Sequence, residues 1–402
     1  MAAAMQHKDA GEDQQGDGRR SLIVLLTSRT FGGHEKMLLE WLRQAVEGDH
    51  LDMEVLCGSN YELLRLCQAA NFRVRSIRGL PALLRRVLGE QSVDAIEVWR
   101  ALGTLSAKGP VLLAPGVVQA SPLLLLAALV RRRRVVSYVP MAFDSRAMGF
   151  RFAAARDRLI AHLVRKVAVW ITITEQQRQL LVDQWRVSAP VHVVPNLLSL
   201  PGAPAAVRPG PTSEWEPLRA LFLGRFERNQ KGLDWLSDQL RKHRPSWTGR
   251  MCFTFQGQGE YESQLRLLSS ECPPGAVVLA PWGDVAMELN RADVLVLPSR
   301  FEGLPLVAIE ATHHGVPVVA TQQAGLSDVL QPESLFQFGD FDGMRRAMER
   351  LRDRQARVAA VTHAQARIRA MLSRERFEQA ISAAVRDIVA LATTGEPART
   401  GK

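Results

Sequence analysis

The chain is poor in the residues that mark several protein classes. Its 402 residues hold four cysteines (Cys57, Cys67, Cys252, Cys272), widely scattered and without a CxxC pair. That excludes a disulfide scaffold and a cysteine-based metal knuckle, and it fits a reducing, cytoplasmic setting. Only three tyrosines occur, and aromatics make up 6%, so the many arginines are not interleaved with stacking rings and nucleic-acid binding is disfavoured. The leading MAAAMQHKDAGEDQQGDGRR lacks the apolar core of a secretory signal and reads as a disordered tail over residues 1–20. The most apolar run, VLLAPGVVQASPLLLLAALV at 111–130, is broken by Pro115, Gly116, Gln119 and Pro122 and reads as a buried strand and helix rather than a membrane span.

What the chain does have is charge and rhythm. The formal net charge is +10, and RRRR stands at 131–134. Anionic partners follow from that balance: phosphates or an acidic membrane surface, met through basic helices such as LPALLRRVLGE (80–90) and FRFAAARDRLIAHLVRKV (150–167). From residue 21 short aliphatic runs (SLIVLL, MEVLC, VLLAPG, VVSYVP, VWITIT, VHVVP) alternate with stretches of helical period, the pattern of βαβ units on a parallel sheet. A Pro- and Gly-dense segment without period, 198–217, reads as a linker, and the alternation restarts with LRALFLG. The expected fold is therefore α/β, with one doubly wound domain over 21–197 and a second over 218–370. A C-terminal helix at 371–392 is expected to pack back toward the first domain, followed by a tail at 393–402. The cleft between the carboxyl ends of the two sheets is the expected ligand site.

Candidate residues cluster in loops that face such a cleft. RFEGLPLVAIEATHHG (300–315) puts Glu302 at the end of a strand and Glu310 within the next helix, with Pro305 in the first helical turn and Gly315 and Pro317 at its end. The amides of Gly303, Leu304, Pro305's neighbours and Leu306 suit a phosphate or a polyhydroxylated ligand. Taken singly, Glu302 reads more readily as a solvated loop acid and Glu310 as a helix-surface acid. LFLGRFERNQKG places Arg225 and Lys231 after another strand, where two cations clamp a diphosphate. TSRTFGGHEKML sets Gly32 and Gly33 before a helix with His34 beside them, for close backbone approach to a ligand. GQGEYE at 257–262 starts like a dinucleotide fingerprint but ends on Glu262, which disfavours a nicotinamide oxidoreductase. Asp340 and Asp342 look like a metal-binding DxD, yet they precede a helical run, where Asp342 serves as N-cap or first-turn acid. No metal site is expected.

In order and spacing, FGGHE, GRFERNQKG, FQGQGE and NRADVLVLPSRFEGLPLVAIEATHHGVPVVAT make the chain resemble the family 4 retaining glycosyltransferases (glycosyl transferases group 1). The resemblance implies a GT-B fold, two Rossmann-like domains facing a central cleft. It also implies transfer of a hexose from a nucleoside diphosphate sugar, as co-substrate and with no other cofactor, to a glycan or lipid-linked glycan acceptor in polysaccharide or glycoconjugate biosynthesis. Arg225 and Lys231 would hold the diphosphate, Glu302 the sugar hydroxyls with the amides of Gly303 to Leu306, and Glu310 the ribose. Gly33 would reach the phosphates, and the base would lie near Gly257 and the PWGDV loop ending at Val285. Three positions depart from the pattern. Tyr138 stands where many relatives carry a histidine and is either an acceptor-side hydroxyl or a core residue; Glu175 replaces a frequent serine; PNLLS lacks a glycine. The acceptor is expected at MAFDSRAMGF (141–150), with Arg146. The enzyme is expected in the cytoplasm, with peripheral contact to the inner face of an anionic membrane. A nucleotide-sugar-binding scaffold without transfer is the alternative.

Overall fold

The computed structural model describes residues 20–26, 33–49, 51–58, 61–77, 90–105, 109–120, 122–197, 202–322 and 325–393. The basic stretch at 80–90 therefore lies almost wholly outside the described residues, as do Gly32 and all of the N-terminal segment before Arg20.

The first sheet has seven parallel strands in the order β3-β2-β1-β4-β5-β6-β7. They are β1 (Arg20–Leu26), β2 (Leu51–Cys57), β3 (Arg73–Ser76), β4 (Val111–Leu113), β5 (Val135–Tyr138), β6 (Val169–Thr172) and β7 (Val191–Val193). Between and around them run α1 (Gly33–Asp49), α2 (Tyr61–Ala69), α3 (Glu90–Thr104), α4 (Pro122–Val130), α5 (Ala153–Val164) and α6 (Glu175–Asp183). The second sheet has six parallel strands in the order β10-β9-β8-β11-β12-β13. These are β8 (Leu218–Leu223), β9 (Met251–Gln256), β10 (Val277–Ala280), β11 (Val294–Leu297), β12 (Val318–Thr321) and the short β13 (Leu335–Phe336). Its helices are α7 (Leu233–Lys242), α8 (Arg244–Trp247), α9 (Glu262–Glu271), α10 (Val285–Arg291), α11 (Leu306–His313), α12 (Phe341–Arg350), α13 (Arg354–Met371) and α14 (Arg374–Thr393).

Helices on both faces explain the unbroken aliphatic strands. Leu22, Ile23 and Val24 of β1 and Val294, Leu295 and Val296 of β11 are all fully buried, as a parallel sheet covered on both sides requires. In each sheet the first strand lies inside the order, with β1 between β2 and β4 and β8 between β9 and β11. The connections diverge there, which opens a crevice at the carboxyl ends of β8 and β11.

Capping residues set several helix starts. The Asp340 side chain accepts from the Gly343 amide at 2.8 Å, with Asp342 in the first turn of α12, so this acidic pair caps a helix. Asp284 takes the amides of Ala286 and Met287 at the head of α10.

The segment joining the domains is held down rather than loose. The Ala205 amide donates to the His313 carbonyl at 2.7 Å and that of Arg208 to the Gly315 carbonyl at 3.0 Å, satisfying carbonyls at the end of α11. α14 leaves the second domain and packs on α1, β1, β6 and β7. His192 of β7 meets Asp387 of this helix at 2.8 Å, and Phe377, Ile381, Val385 and Ile388 are buried in a core that also takes in Trp41, Leu221 and Leu304.

Candidate functional site

At the switch point the loops after β8 and β11 meet. Gly232 makes this possible: it sits at φ 66°, and a Cβ there would fall 2.0 Å from the Pro298 carbonyl oxygen at the end of β11. Only glycine allows so close a passage in the left-handed region. The crossing delivers Lys231 to Glu302. Their charged groups form a direct ion pair, and both side chains are largely buried.

Glu302 is thus no solvated loop acid; 6% of the residue is exposed. Its Oε1 also accepts from Ser299 Oγ at 3.0 Å, and its Oε2 from Gln230 Nε2 at 3.4 Å. Gln230 Oε1 in turn receives the Arg225 guanidinium at 3.4 Å. The two cations expected to act together are therefore joined through Gln230 and Glu302, with Arg225 exposed and the Lys231 side chain largely buried. Arg300 braces the same loops. Its guanidinium donates to the Asn229 carbonyl at 2.7 Å and to both oxygens of Asp234 at 2.8 and 2.9 Å, and it lies 4.6 Å from the centre of the Phe338 ring. Sequence reasoning missed Gln230, Ser299 and Arg300. Their signal was there, flanking Lys231 and Glu302, but polar loop residues gain meaning only once their loops are known to touch.

After Glu302 the chain runs against the first domain. A Cβ on Gly303 would sit 2.6 Å from the Pro140 carbonyl oxygen and 3.0 Å from Ile173 Cδ1. Leu304 is buried. Pro305 occupies the N-cap position in extended conformation and Leu306 begins α11, so Pro305 precedes the first turn rather than standing in it. The carboxyl of Glu310, in α11, is pushed above its ordinary range by burial, with Lys36 of α1 pulling the other way.

Gly33 and His34 are the first two residues of α1. Gly257 lies just past β9, pressed onto the loop after β8: a Cβ there would be 1.9 Å from the Gly224 carbonyl oxygen. Val285 opens α10, whose first free amides are already taken by Asp284. Tyr138 is 3% exposed and belongs to the core of the first domain; burial raises its hydroxyl pKa, and Glu35 adds to the rise.

The loop 141–150 is firmly built and turned toward the second domain. Phe143 and Met148 bury against Phe301, with the two phenyl rings 6.1 Å apart. Asn229 Nδ2 donates to the Met148 carbonyl at 3.1 Å. Gln119 donates to the Phe143 carbonyl and Trp185 Nε1 to that of Ala142, each at 2.7 Å. Arg146 stays exposed. Among the described residues, no cluster of three or more His, Cys, Asp or Glu side chains is arranged to hold a metal ion, and no helix is long and apolar enough to cross a membrane.

Two parallel sheets facing one another across loops at their carboxyl ends define the GT-B fold. Two solved structures carry it over nearly their whole length. The apo form of the lipopolysaccharide outer core galactosyltransferase WaaB superposes with a TM-score of 0.64 at 16% identity, covering 91% of this chain and 99% of that one. Anabaena HepE, in complex with UDP-glucose, gives 0.64 at 16% identity, covering 94% and 100%. Residues 217–354, most of the second domain, match the family model described as Glycosyl transferases group 1. An uncharacterised 41.2 kDa protein in the cps region of Klebsiella pneumoniae is 29% identical over 166 residues, 40% of this chain and 44% of its own length. The match thus spans less than half of that curated relative.

Proposed function

We propose that the protein is a retaining glycosyltransferase that moves a hexose from a nucleoside diphosphate sugar to a glycan or lipid-linked glycan in polysaccharide or glycoconjugate biosynthesis. The observation that carries this reading is the Lys231–Glu302 pair with Arg225 beside it, at the switch point of a domain that matches the glycosyl transferases group 1 model. In the proposed mechanism, Arg225 and Lys231 neutralise the diphosphate, and the charge that grows on it as the glycosidic bond breaks meets cations already in place. No metal is then required. Glu302 exchanges a partner within the site for donor-sugar hydroxyls, and Glu310 takes the ribose diol, which would return hydrogen bonds to a carboxylate that burial disfavours. The leaving phosphate receives the acceptor's proton on the same face, without a protein nucleophile.

The setting proposed is the cytoplasm, at the inner face of a membrane. Phe152 and Leu159 are 80% and 72% exposed, with Arg151 beside the first just before α5 and Arg158 beside the second in the middle of that helix, a pairing of apolar and cationic groups that suits an anionic lipid surface. The names of the similar proteins, a lipopolysaccharide galactosyltransferase and a protein of a cps region, support a surface-glycan acceptor.

A scaffold that binds the donor without transfer is the second reading, favoured by the burial of Tyr138 at the position where the family resemblance implies a histidine. One experiment separates them. Purified protein is screened by thermal shift against UDP-, GDP-, ADP- and TDP-sugars, and the stabilising donor is then assayed for release of nucleoside diphosphate. Release that disappears in Glu302→Ala supports transfer; binding without release supports the scaffold; no binding to any donor sinks both.

A further inference from the structure

Gln177 is wholly buried in α6 of the first domain, yet both ends of its amide are used. Its Oε1 accepts from the Ala142 amide at 2.7 Å, and its Nε2 donates to the main-chain carbonyl of Glu302 at 3.3 Å. The orientation is dictated by chemistry. The Ala142 N–H can only donate, so the oxygen must face it, leaving the NH2 group for the Glu302 carbonyl. One side chain of the first domain thus ties the head of the 141–150 loop to the residue whose carboxylate meets Lys231 across the switch point. Nearby, Gly303 abuts the Pro140 carbonyl and Phe143 packs on Phe301, so the junction leaves no slack.

We propose that Gln177 is a positioning residue: it sets the Glu302 carboxylate toward the donor sugar only while the two domains are closed, and so couples the 141–150 loop to donor engagement. This rests on the glycosyl-transfer reading. A buried amide with each end satisfied by a different partner costs little when the domains meet and is left half-paired when they part. Separation of the domains would release the Glu302 carbonyl and loosen the loop that carries the carboxylate. The nucleotide, held by Arg225 and Glu310 of the second domain, would be little affected.

Two substitutions dissect the clamp. Gln177→Met cuts both hydrogen bonds; Gln177→Glu keeps an acceptor for Ala142 but turns a carboxylate oxygen on the Glu302 carbonyl. Hydrogen exchange of the ligand-free protein is expected to rise at 299–306 in both variants, but at 141–150 only in Gln177→Met. With the donor found by the screen above, turnover is expected to fall roughly tenfold in each variant, the loss of about one hydrogen bond's worth of alignment. Affinity for the bare nucleoside diphosphate should stay within about twofold. A merely structural role would weaken nucleoside diphosphate and nucleotide sugar alike. Unchanged exchange at 299–306 in both variants overturns the clamp even if no donor is ever found, and unchanged turnover overturns its role in positioning. Wild-type protein that binds no nucleotide sugar sinks the glycosyl-transfer reading instead, while the exchange pattern still decides the clamp.

Discussion

The Lys231 ammonium and the Glu302 carboxylate form a buried ion pair between residues 71 apart in sequence, brought together because β8 and β11 are neighbours at the switch point of the second sheet. A carboxylate 6% exposed needs its cation and the Ser299 hydroxyl to offset lost hydration.

Lys231→Met is expected to leave Glu302 buried without its counter-charge and to destabilise the fold by about 3 kcal/mol, read as a lowered denaturation midpoint. Glu302→Gln, which keeps shape and one acceptor, should melt closer to wild type while losing on the order of a hundredfold in donor turnover. Equal turnover in Glu302→Gln and wild type would remove Glu302 from the proposed chemistry.

Glu310 sets function against stability. Its carboxyl is raised by burial in the folded state, so the fold binds that proton more tightly than the unfolded chain does. The associated stability is present in acid and is lost as pH climbs from the ordinary carboxylate range through the raised folded pKa. Glu310→Gln stays neutral and avoids that loss. It should melt above wild type near pH 7, approach it in acid, and bind the nucleotide more weakly. Thermal melts across pH check this, and a variant that melts lower at neutral pH would show that the carboxylate is already well satisfied.

Gly303→Ala tests the contact between domains with one methyl group. The added Cβ would lie 2.6 Å from the Pro140 carbonyl oxygen, and that nearest partner is main chain rather than the end of a flexible side chain. The second-domain core does not involve this position, so nucleoside diphosphate binding should persist while transfer falls by roughly tenfold or more, as expected for a loop displaced by tenths of an ångström. Full activity in Gly303→Ala would show that transfer does not need this close approach.

Cys57 and Cys67 are fully buried, and burial lifts their thiols to about 11 and about 12. The thiolate is the reactive form. Both are expected to resist alkylation by iodoacetamide at pH 8 in the native protein and to react at once in denaturant, followed by peptide mass mapping. Rapid native labelling of either would mean that the first domain opens locally.

Most of the architecture was legible in the chain, because parallel strands covered on both faces must be continuous aliphatic runs and the amphipathic stretches between them must be helices. The strand at 294–297 and the helix after it follow from VLVLPS and LPLVAIEATHHG, although the helix starts at Leu306, past the proline expected in its first turn. The two glutamates, the two cations and the doubly glycine-marked loops were visible as well, since their spacing is local. Glu302 and Glu310 read singly, however, were better explained by solvent, and Tyr138 had two readings of equal weight.

Burial and pairing are tertiary properties, and the folded chain alone decided them. Strand order made neighbours of the Lys231 and Glu302 loops, and the return of α14 onto the first sheet set one domain against the other. Only then did Gln177, Gln230 and Arg300, unremarkable polar residues in sequence, acquire partners. What the sequence determined by itself was the set of elements and the reactive groups at their ends, because both depend on neighbours along the chain. Which of those groups meet, and which of them lose water, depends on neighbours in space.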